Sequence, residues 1–599
     1  MKFPYGISDF DSLITRQFHY VDRTDHIPLL EEAGDQLLFL RPRRFGKSLL
    51  LSMLENYYDL NKADRFEELF RSLTIGQTPT TGHNRYFVLK WDFSGVSPVG
   101  DGEEIKRNLY DYLNNCIGAF SDYYREALSG YPIRINHQNA LASFQSLLNA
   151  VQQTGHPLYL LIDEYDNFAN ELMMGHRSWE ESRYQALLSG ESIMKALFKT
   201  IKMAASGEGL SRVFITGVSP VAMSDLTSAY NVAENIYLLP QFNTLCGFRE
   251  SEISTVTAQI VKECRLPESR ADEAVEIMRT FYNGYCFSSD AEQHVYNPTL
   301  ALYFLKAFQR DCRYPKKVLD SNLAMDRSKM HYISRLPEGR QLIFDALAEE
   351  MPVTISELAD RFGVDDMLHA RKDTGFVASL LYYFGILTQS GVTPFGKLIL
   401  RIPNLVIRKL YAEQIQEMLL PEGEDGDMAE RAAEALYQRG DIQPLCDFVE
   451  QKYFKVFSNR DYAHSNELTV KTAFLTLLFN DTLYIMESES EIERGHTDLT
   501  MIVRPDMRQY QVLDILIEFK FVSLQEAGLD GKTLEKMGEA ALRALPTVQE
   551  KQREAEEGLV RYRAKLHRKF GDVLRLKSFS VVSVGFERLV FSGNRQPAC

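Results

Sequence analysis

The sequence has no CxxC pair, and its seven cysteines (Cys116, Cys246, Cys264, Cys286, Cys312, Cys446 and Cys599) show no His/Cys ligand spacing. Zinc modules and disulfide frameworks are recognised by such spacing, so neither is expected and the thiols are read as reduced. No apolar run approaches the ~20 residues that a membrane-spanning helix needs. The opening residues Met1-Lys2-Phe3-Pro4-Tyr5-Gly6 lack the apolar core of a signal peptide. The expectation is a soluble cytoplasmic chain with no membrane partner. An excess of positive charge is absent too: 82 Asp and Glu outnumber 67 Lys and Arg, for a net charge of −15. That excludes indiscriminate coating of nucleic acid and confines any such contact to local basic patches. Internal repeats and low-complexity tracts are absent.

What is present is ordinary in bulk and informative in detail. The 599 residues are 45% apolar and 25% charged, as in soluble globular proteins. They are too many for one core and suggest three or four domains. The most informative segment is Arg41-Pro42-Arg43-Arg44-Phe45-Gly46-Lys47-Ser48. It follows the apolar run Leu37–Leu40, read as a buried parallel strand, and leads into Leu49–Glu55, read as a helix. A strand, a turn ending Gly-Lys-Ser and a helix make the setting of a phosphate-binding loop. Backbone N–H groups and the helix dipole there favour an anion. Arg44, Phe45 and Gly46 would line the loop, Lys47 would reach the phosphates, and Ser48 would ligate Mg²⁺. The usual first glycine is replaced by Arg41, and Pro42 removes a donor. Alone, Gly-Lys-Ser also fits a plain turn before a capped helix.

A second segment supports the first. The apolar strand 157–162 runs into Asp163-Glu164. An acidic pair at a buried strand's C-terminal end can hold Mg²⁺ through Asp163 and polarise a water through Glu164. A third strand, 212–217, puts Thr216 at the rim where open parallel sheets bind ligands. Thr216 would sense the γ-phosphate there or simply end a strand.

Along the chain, strands near 37–40, 86–92, 158–163 and 212–217 alternate with helices as in an α/β domain. Residues 250–320 read as helical, interrupted by the aromatic segment 281–287. Between 330 and 418, helices at 355–359 and 377–384 precede a hairpin at 386–402. This pattern resembles a winged helix, a module used for DNA binding or for interdomain packing. The acidic, glycine-rich stretch Pro421–Asp427 reads as a linker.

Beyond it lies a set of carboxylates. Leu483–Glu489 reads as a strand carrying Glu487 and Glu489, and Asp498 opens another strand. Asp514–Lys520 places Glu518 and Lys520 on one face by period-2 geometry. Asp498 and Glu518 can share Mg²⁺ with the Phe519 carbonyl, while Lys520 orients or deprotonates a water. An exposed hairpin face with a Glu–Lys pair fits the same spacing. His464 and His496 read as polar surface. Arg561, Arg563, Lys565, Arg568, Lys569, Arg575 and Lys577 form the best candidate for a phosphate-backbone contact or else a solvated face.

The chain resembles a bacterial family that joins an AAA-ATPase-like N-terminal domain to a C-terminal PD-(D/E)XK nuclease domain. The resemblance is carried by 20–24, 41–48, Ile162-Asp163-Glu164-Tyr165-Asp166, 216–220, Tyr282-Asn283-Gly284-Tyr285 and 295–298. In the second half it is carried by Glu489, Asp498 and Glu518-Phe519-Lys520. It implies that an arginine in place of the first loop glycine is usual. It also implies a glutamine on the helix after the Glu-x-Lys strand. Ala544 stands at that place, with Gln549 close by.

The reading is an α/β multidomain protein. It has an AAA-ATPase-like P-loop domain with a parallel sheet (1–248), a helical domain (249–328), a winged-helix-like domain (329–420) and a PD-(D/E)XK nuclease-like domain (428–599). The expected activity is ATP binding and hydrolysis coupled to a Mg²⁺-dependent DNA endonuclease, in defence or mobile-element biology. Glu164 and Lys520 would be catalytic, and Ser48, Asp163, Glu489, Asp498 and Glu518 would hold metal. The alternative is a nucleotide-switched interaction or nucleic-acid-binding protein with an inactive nuclease fold. Assembly into a homo-oligomer is left open.

Overall fold

In the computed structural model the apolar run before the loop is β1 (Gln36–Leu40), buried from Leu37 onward. The structure describes residues 1–97, 101–167, 181–207, 209–220, 232–318, 327–336, 338–348, 352–359, 362, 373–419, 423–457, 467–487 and 499–593. They form two units. One comprises Met1–Arg313, Leu336–Glu338 and Thr354–Pro403, and the other Tyr314–Arg335, Gly339–Val353 and Asn404–Cys599.

In the first unit, β1 is followed by α1 (Lys47–Tyr58), β2 (Phe87–Asp92), α2 (Gly102–Tyr123), α3 (Ala140–Thr154), β3 (Leu158–Asp163), α4 (Glu181–Ala205), β4 (Leu210–Gly217) and β5 (Glu234–Asn235). The sheet runs β2-β3-β4-β1-β5 with every pairing parallel. Parallel strands need crossovers and bury both faces, which is why β3 is buried throughout and apolar until its terminal acid. Local chemistry sets the helix ends. Asn139 caps α3 by accepting from the backbone N–H of Leu141 and Ala142, and Gly155 closes it at φ +77°. Because β1 lies between β4 and β5, strand order reverses beside the loop, and ligands bind at such a reversal.

Three helices follow: α5 (Glu250–Glu263), α6 (Ser269–Tyr282) and α7 (Pro298–Asp311). Cys264 caps the C-terminus of α5, Cys312 caps that of α7, and the two form a disulfide with Cα atoms 5.6 Å apart. This corrects the expectation of unpaired thiols. The partners are 48 positions apart, so the pairing comes from helix packing and leaves no short spacing to read.

A second correction concerns 355–359. The β-branched run Val353–Ile355 is a strand, β6, and no helix follows it through Ala359. The expected helix is α8 (Thr374–Tyr383), capped by Asp373, and Gly385 follows at φ +74°. The antiparallel hairpin β7 (Thr388–Val392) and β8 (Leu398–Arg401) comes next.

In the second unit, the stretch read as a linker is helical from Gly423, the first residue of α9 (Gly423–Arg439). Acidic residues suit a helix N-terminus, and Asp425 is buried and ion-paired to Lys452 at 2.7 Å. Then come α10 (Glu467–Leu478), β9 (Tyr484–Glu487), β10 (Leu499–Val503), β11 (Asp514–Val522), α11 (Pro546–Phe570), β12 (Leu576–Val584) and β13 (Arg588–Gly593). The sheet order is β13-β12-β11-β10-β9, with β11 and β12 parallel and the other pairs antiparallel. The helix α11 makes the crossover that the parallel pair requires and packs Leu559 and Leu566 against Leu516 and Ile502.

Candidate functional site

The loop between β1 and α1 curls through two left-handed residues, Arg44 at φ 66° and Gly46 at φ 93°. Alternation of this kind makes successive N–H groups converge on an anion. Gly46 is exposed with open space where a side chain would be, while Arg44 is exposed and its carbonyl accepts from Thr299 Oγ1 at 2.9 Å. Phe45 is buried, edge-on to Tyr285 and Phe287 with centroids 4.9 and 5.4 Å away. Only its main chain is therefore placed to serve a ligand. Lys47 is buried, and its ammonium donates to the carbonyls of Arg41 at 2.9 Å and Pro42 at 3.2 Å. Burial pushes its pKa down, opposed by Asp163, Asp166 and Glu164.

The parallel register brings three strand ends to this loop. Ser48 Oγ donates to Asp163 Oδ2 at 2.7 Å. Thr216 Oγ1 donates to Asp163 Oδ1 at 2.9 Å, as does the Glu164 N–H at 3.0 Å. Glu164 stands at φ 48°, a left-handed conformation that a glutamate adopts at a cost of order 1–3 kcal/mol. Burial raises its pKa, with Lys47 and Arg43 pulling the other way. The donor set suits a hard cation, because a serine hydroxyl and a carboxylate oxygen converge within one hydrogen-bond length.

Residues that the sequence reading assigned no role complete the site. Asp166 is buried and accepts from Val218 N–H at 3.0 Å and from Ser219 N–H and Oγ at 2.8 and 2.9 Å. It ties the turn after β3 to the turn after β4. Arg43 donates to Asn167 Oδ1 at 2.9 Å, bridging the loop to the same turn. Asp166 lies inside the stretch 162–166, so its position was the one signal available.

The second unit holds the other proposed centre. Glu518 and Lys520 share a face of β11, with Lys520 Nζ 3.4 Å from Glu518 Oε1. The ammonium also lies 3.0 Å from Glu467 Oε1, at the start of α10, and donates to the Phe519 carbonyl at 2.7 Å. That carbonyl is the one expected to complete a metal site, and here it accepts from Lys520. Glu467 is 53 positions away and left no sequence signal. Across from Glu518 stands Gly558 of α11, where a Cβ would come 3.1 Å from Glu518 Oε1. Glycine costs a helix interior roughly 0.5–1 kcal/mol relative to alanine, and here it leaves room above the carboxylate. Ala544, read as standing at the glutamine's place, caps the short helix Glu539–Arg543 instead. Residues Glu489, Asp498, His464 and His496 lie outside the described residues. Among the described residues, no group of three or more His, Cys, Asp or Glu side chains could hold a metal ion. Within the basic cluster, Arg561, Arg568 and Lys569 are exposed, whereas Arg575 donates to the Arg508 carbonyl at 2.8 Å.

No described helix is long and apolar enough to cross a membrane. Residues 4–227 match the AAA-ATPase-like family, described as "Predicted AAA-ATPase". An uncharacterized protein in the vnfD 5' region of Azotobacter chroococcum mcd 1 is 25% identical over 547 residues, which is 88% of this chain and 90% of that one. The ORC2 protein of Aeropyrum pernix, in its ADPNP–ADP complexes, is 13% identical over 66% of this chain and 92% of that chain, with a TM-score of 0.29. Its ADP form is 15% identical over the same shares, with a TM-score of 0.28. At such scores the likeness carries no argument, and the fold rests on strand order and the loop.

Proposed function

We propose that this protein binds and hydrolyses ATP in its N-terminal unit and couples that cycle to a Mg²⁺-dependent DNA endonuclease in its C-terminal unit. The observation that carries the nucleotide half is the convergence of Ser48 and Thr216 on Asp163, beside a lysine at the head of α1. The family match over 4–227 supports it. Ser48 and Asp163 would hold Mg²⁺, which supplies charge neutralisation for the phosphates when bound. The main chain of 44–46 and the Lys47 ammonium would grip the phosphates. Glu164 would take a proton from the attacking water, and Thr216 would hold the Asp163 carboxylate in orientation.

The nuclease half is supported by the Glu518–Lys520 pair beside Gly558. Strand register adds to this, because Leu499, the residue after Asp498, pairs with Ile517, the residue before Glu518. Asp498, Glu489 and Glu518 would hold the metal and Lys520 would orient the nucleophile. DNA is the expected substrate, and defence or mobile-element biology the expected setting. A second reading, a nucleotide-switched binding protein with an inactive nuclease fold, is favoured by one observation. Glycine, with no side-chain amide, faces Glu518 from α11.

Purified protein incubated with Mg²⁺, ATP and linear, circular or single-stranded DNA separates the two. Cleavage lost in Lys520→Ala, with ATP hydrolysis intact, supports the nuclease. Cleavage that survives the substitution shows the centre to be misplaced, and DNA binding without cleavage supports the second reading.

A further inference from the structure

We propose that Arg41 and Pro42 are positioning residues that fasten the phosphate loop to the 285–287 segment and the β7–β8 hairpin, so that nucleotide occupancy is transmitted to the hairpin tip. The inference rests on the nucleotide reading above. It starts from the two residues that depart from an ordinary phosphate loop.

Arg41 is only 1% exposed. Its guanidinium donates to the carbonyls of Leu40 at 2.8 Å, Tyr237 at 2.9 Å and Phe242 at 2.8 Å. It also lies 4.0 Å from the Phe287 ring centroid and 4.4 Å from that of Phe39. All these partners are carbonyls and ring faces. Burying a cation in this way is expensive, and burial pushes its pKa down to about 10. Retaining such a group calls for something other than stability. Pro42 is buried against Gly385, where an added Cβ would come within 2.7 Å of the proline ring. Only glycine fits there, both for that contact and for its φ of +74°.

From these contacts a continuous path leads outward. Phe45 packs on Tyr285 and Phe287. Cys286 N–H donates to Thr388 Oγ1 at 2.7 Å, which donates back to the Cys286 carbonyl at 2.9 Å, and Gln389 N–H reaches the same carbonyl at 3.2 Å. Thr388 and Gln389 begin β7. At the far end, Thr393 N–H bonds the Lys397 carbonyl at 2.8 Å, holding a turn that leaves Phe395 91% exposed.

The switching element is Lys47. Here its ammonium is spent on the carbonyls of Arg41 and Pro42 themselves. A bound phosphate competes for that ammonium and so releases the two main-chain carbonyls at the root of the path. The two arrangements, lysine on carbonyls and lysine on phosphate, are the discrete states that coupling between sites requires.

The test is amide hydrogen exchange of the 386–401 peptide in the full chain, with and without saturating ADPNP and Mg²⁺. Binding is followed separately by fluorescence titration. The native chain should change its hairpin exchange by about three-fold or more, and Arg41→Lys, compared at its own saturation, by much less. Lysine keeps the charge but loses the fork and the stacking. Should Arg41→Lys fail to fold, Phe287→Leu carries the same comparison. The proposal is overturned if the native chain binds ADPNP with its hairpin exchange unmoved, or if the variant responds as the native chain does. Absence of ADPNP binding by the native chain would be a separate failure, that of the nucleotide reading itself.

Discussion

Glu164 combines a left-handed backbone, a carboxyl pKa raised by burial and a place one residue beyond Asp163, the proposed Mg²⁺ ligand. A base must be ionised to act, and its raised pKa means ionisation is completed at higher pH than for an ordinary glutamate. ATP hydrolysis should therefore rise with pH along a limb displaced to higher pH than an ordinary glutamate would give. In Glu164→Gln that limb should vanish, with the rate down about 10²–10⁴-fold and nucleotide affinity little changed. A pH–rate profile of both proteins checks this, and an unaltered limb in the variant removes Glu164 from the reaction. At this scale the places of Lys47 and Ser48, at the head of a helix that follows a strand and a loop, and of Asp163 and Thr216, at strand ends, were legible in the sequence. Arg41 was legible only as a missing glycine, since its partners Tyr237, Phe242 and Phe287 are 196, 201 and 246 positions away. Glu467 was hidden for the same reason.

Among elements, the ends of β3 and β4 act as one piece through Asp166 and Tyr165, whose hydroxyl donates to the Ser219 carbonyl at 2.7 Å. Gly217 makes this close approach possible: a Cβ there would stand 2.5 Å from Asp166 Oδ1 and 2.6 Å from the Tyr165 ring. Gly217→Ala should destabilise the first unit by about 1–3 kcal/mol, read as a lowered unfolding midpoint in denaturant. A midpoint equal to the native one would mean that these two turns are not packed as described. Buried parallel strands were legible as apolar runs ending in polar residues. Weaker patterns misled. Val353–Ile355 carries β-branched residues that favour extension, yet 355–359 by itself has the look of a helix. The acidic stretch from Gly423 looked like a linker because acids suit both a solvated loop and a helix N-terminus.

Over the whole molecule, the disulfide between Cys264 and Cys312 joins two helix ends within the first unit. It closes a loop 48 positions long, worth up to about 4 kcal/mol on the chain-entropy view. Reduction, or Cys264→Ser, should lower the thermal midpoint of that unit. Equal midpoints with and without reductant would show the two thiols unjoined. Nucleotide binding by the whole chain depends on the phosphate loop, and one titration measures that dependence. A fluorescent ATP analogue with Mg²⁺ should bind the native chain, and Lys47→Ala should weaken that binding at least about ten-fold, the loss of a charge-assisted contact of 1.4 kcal/mol or more. Equal affinity in the two proteins would contradict the account at its base.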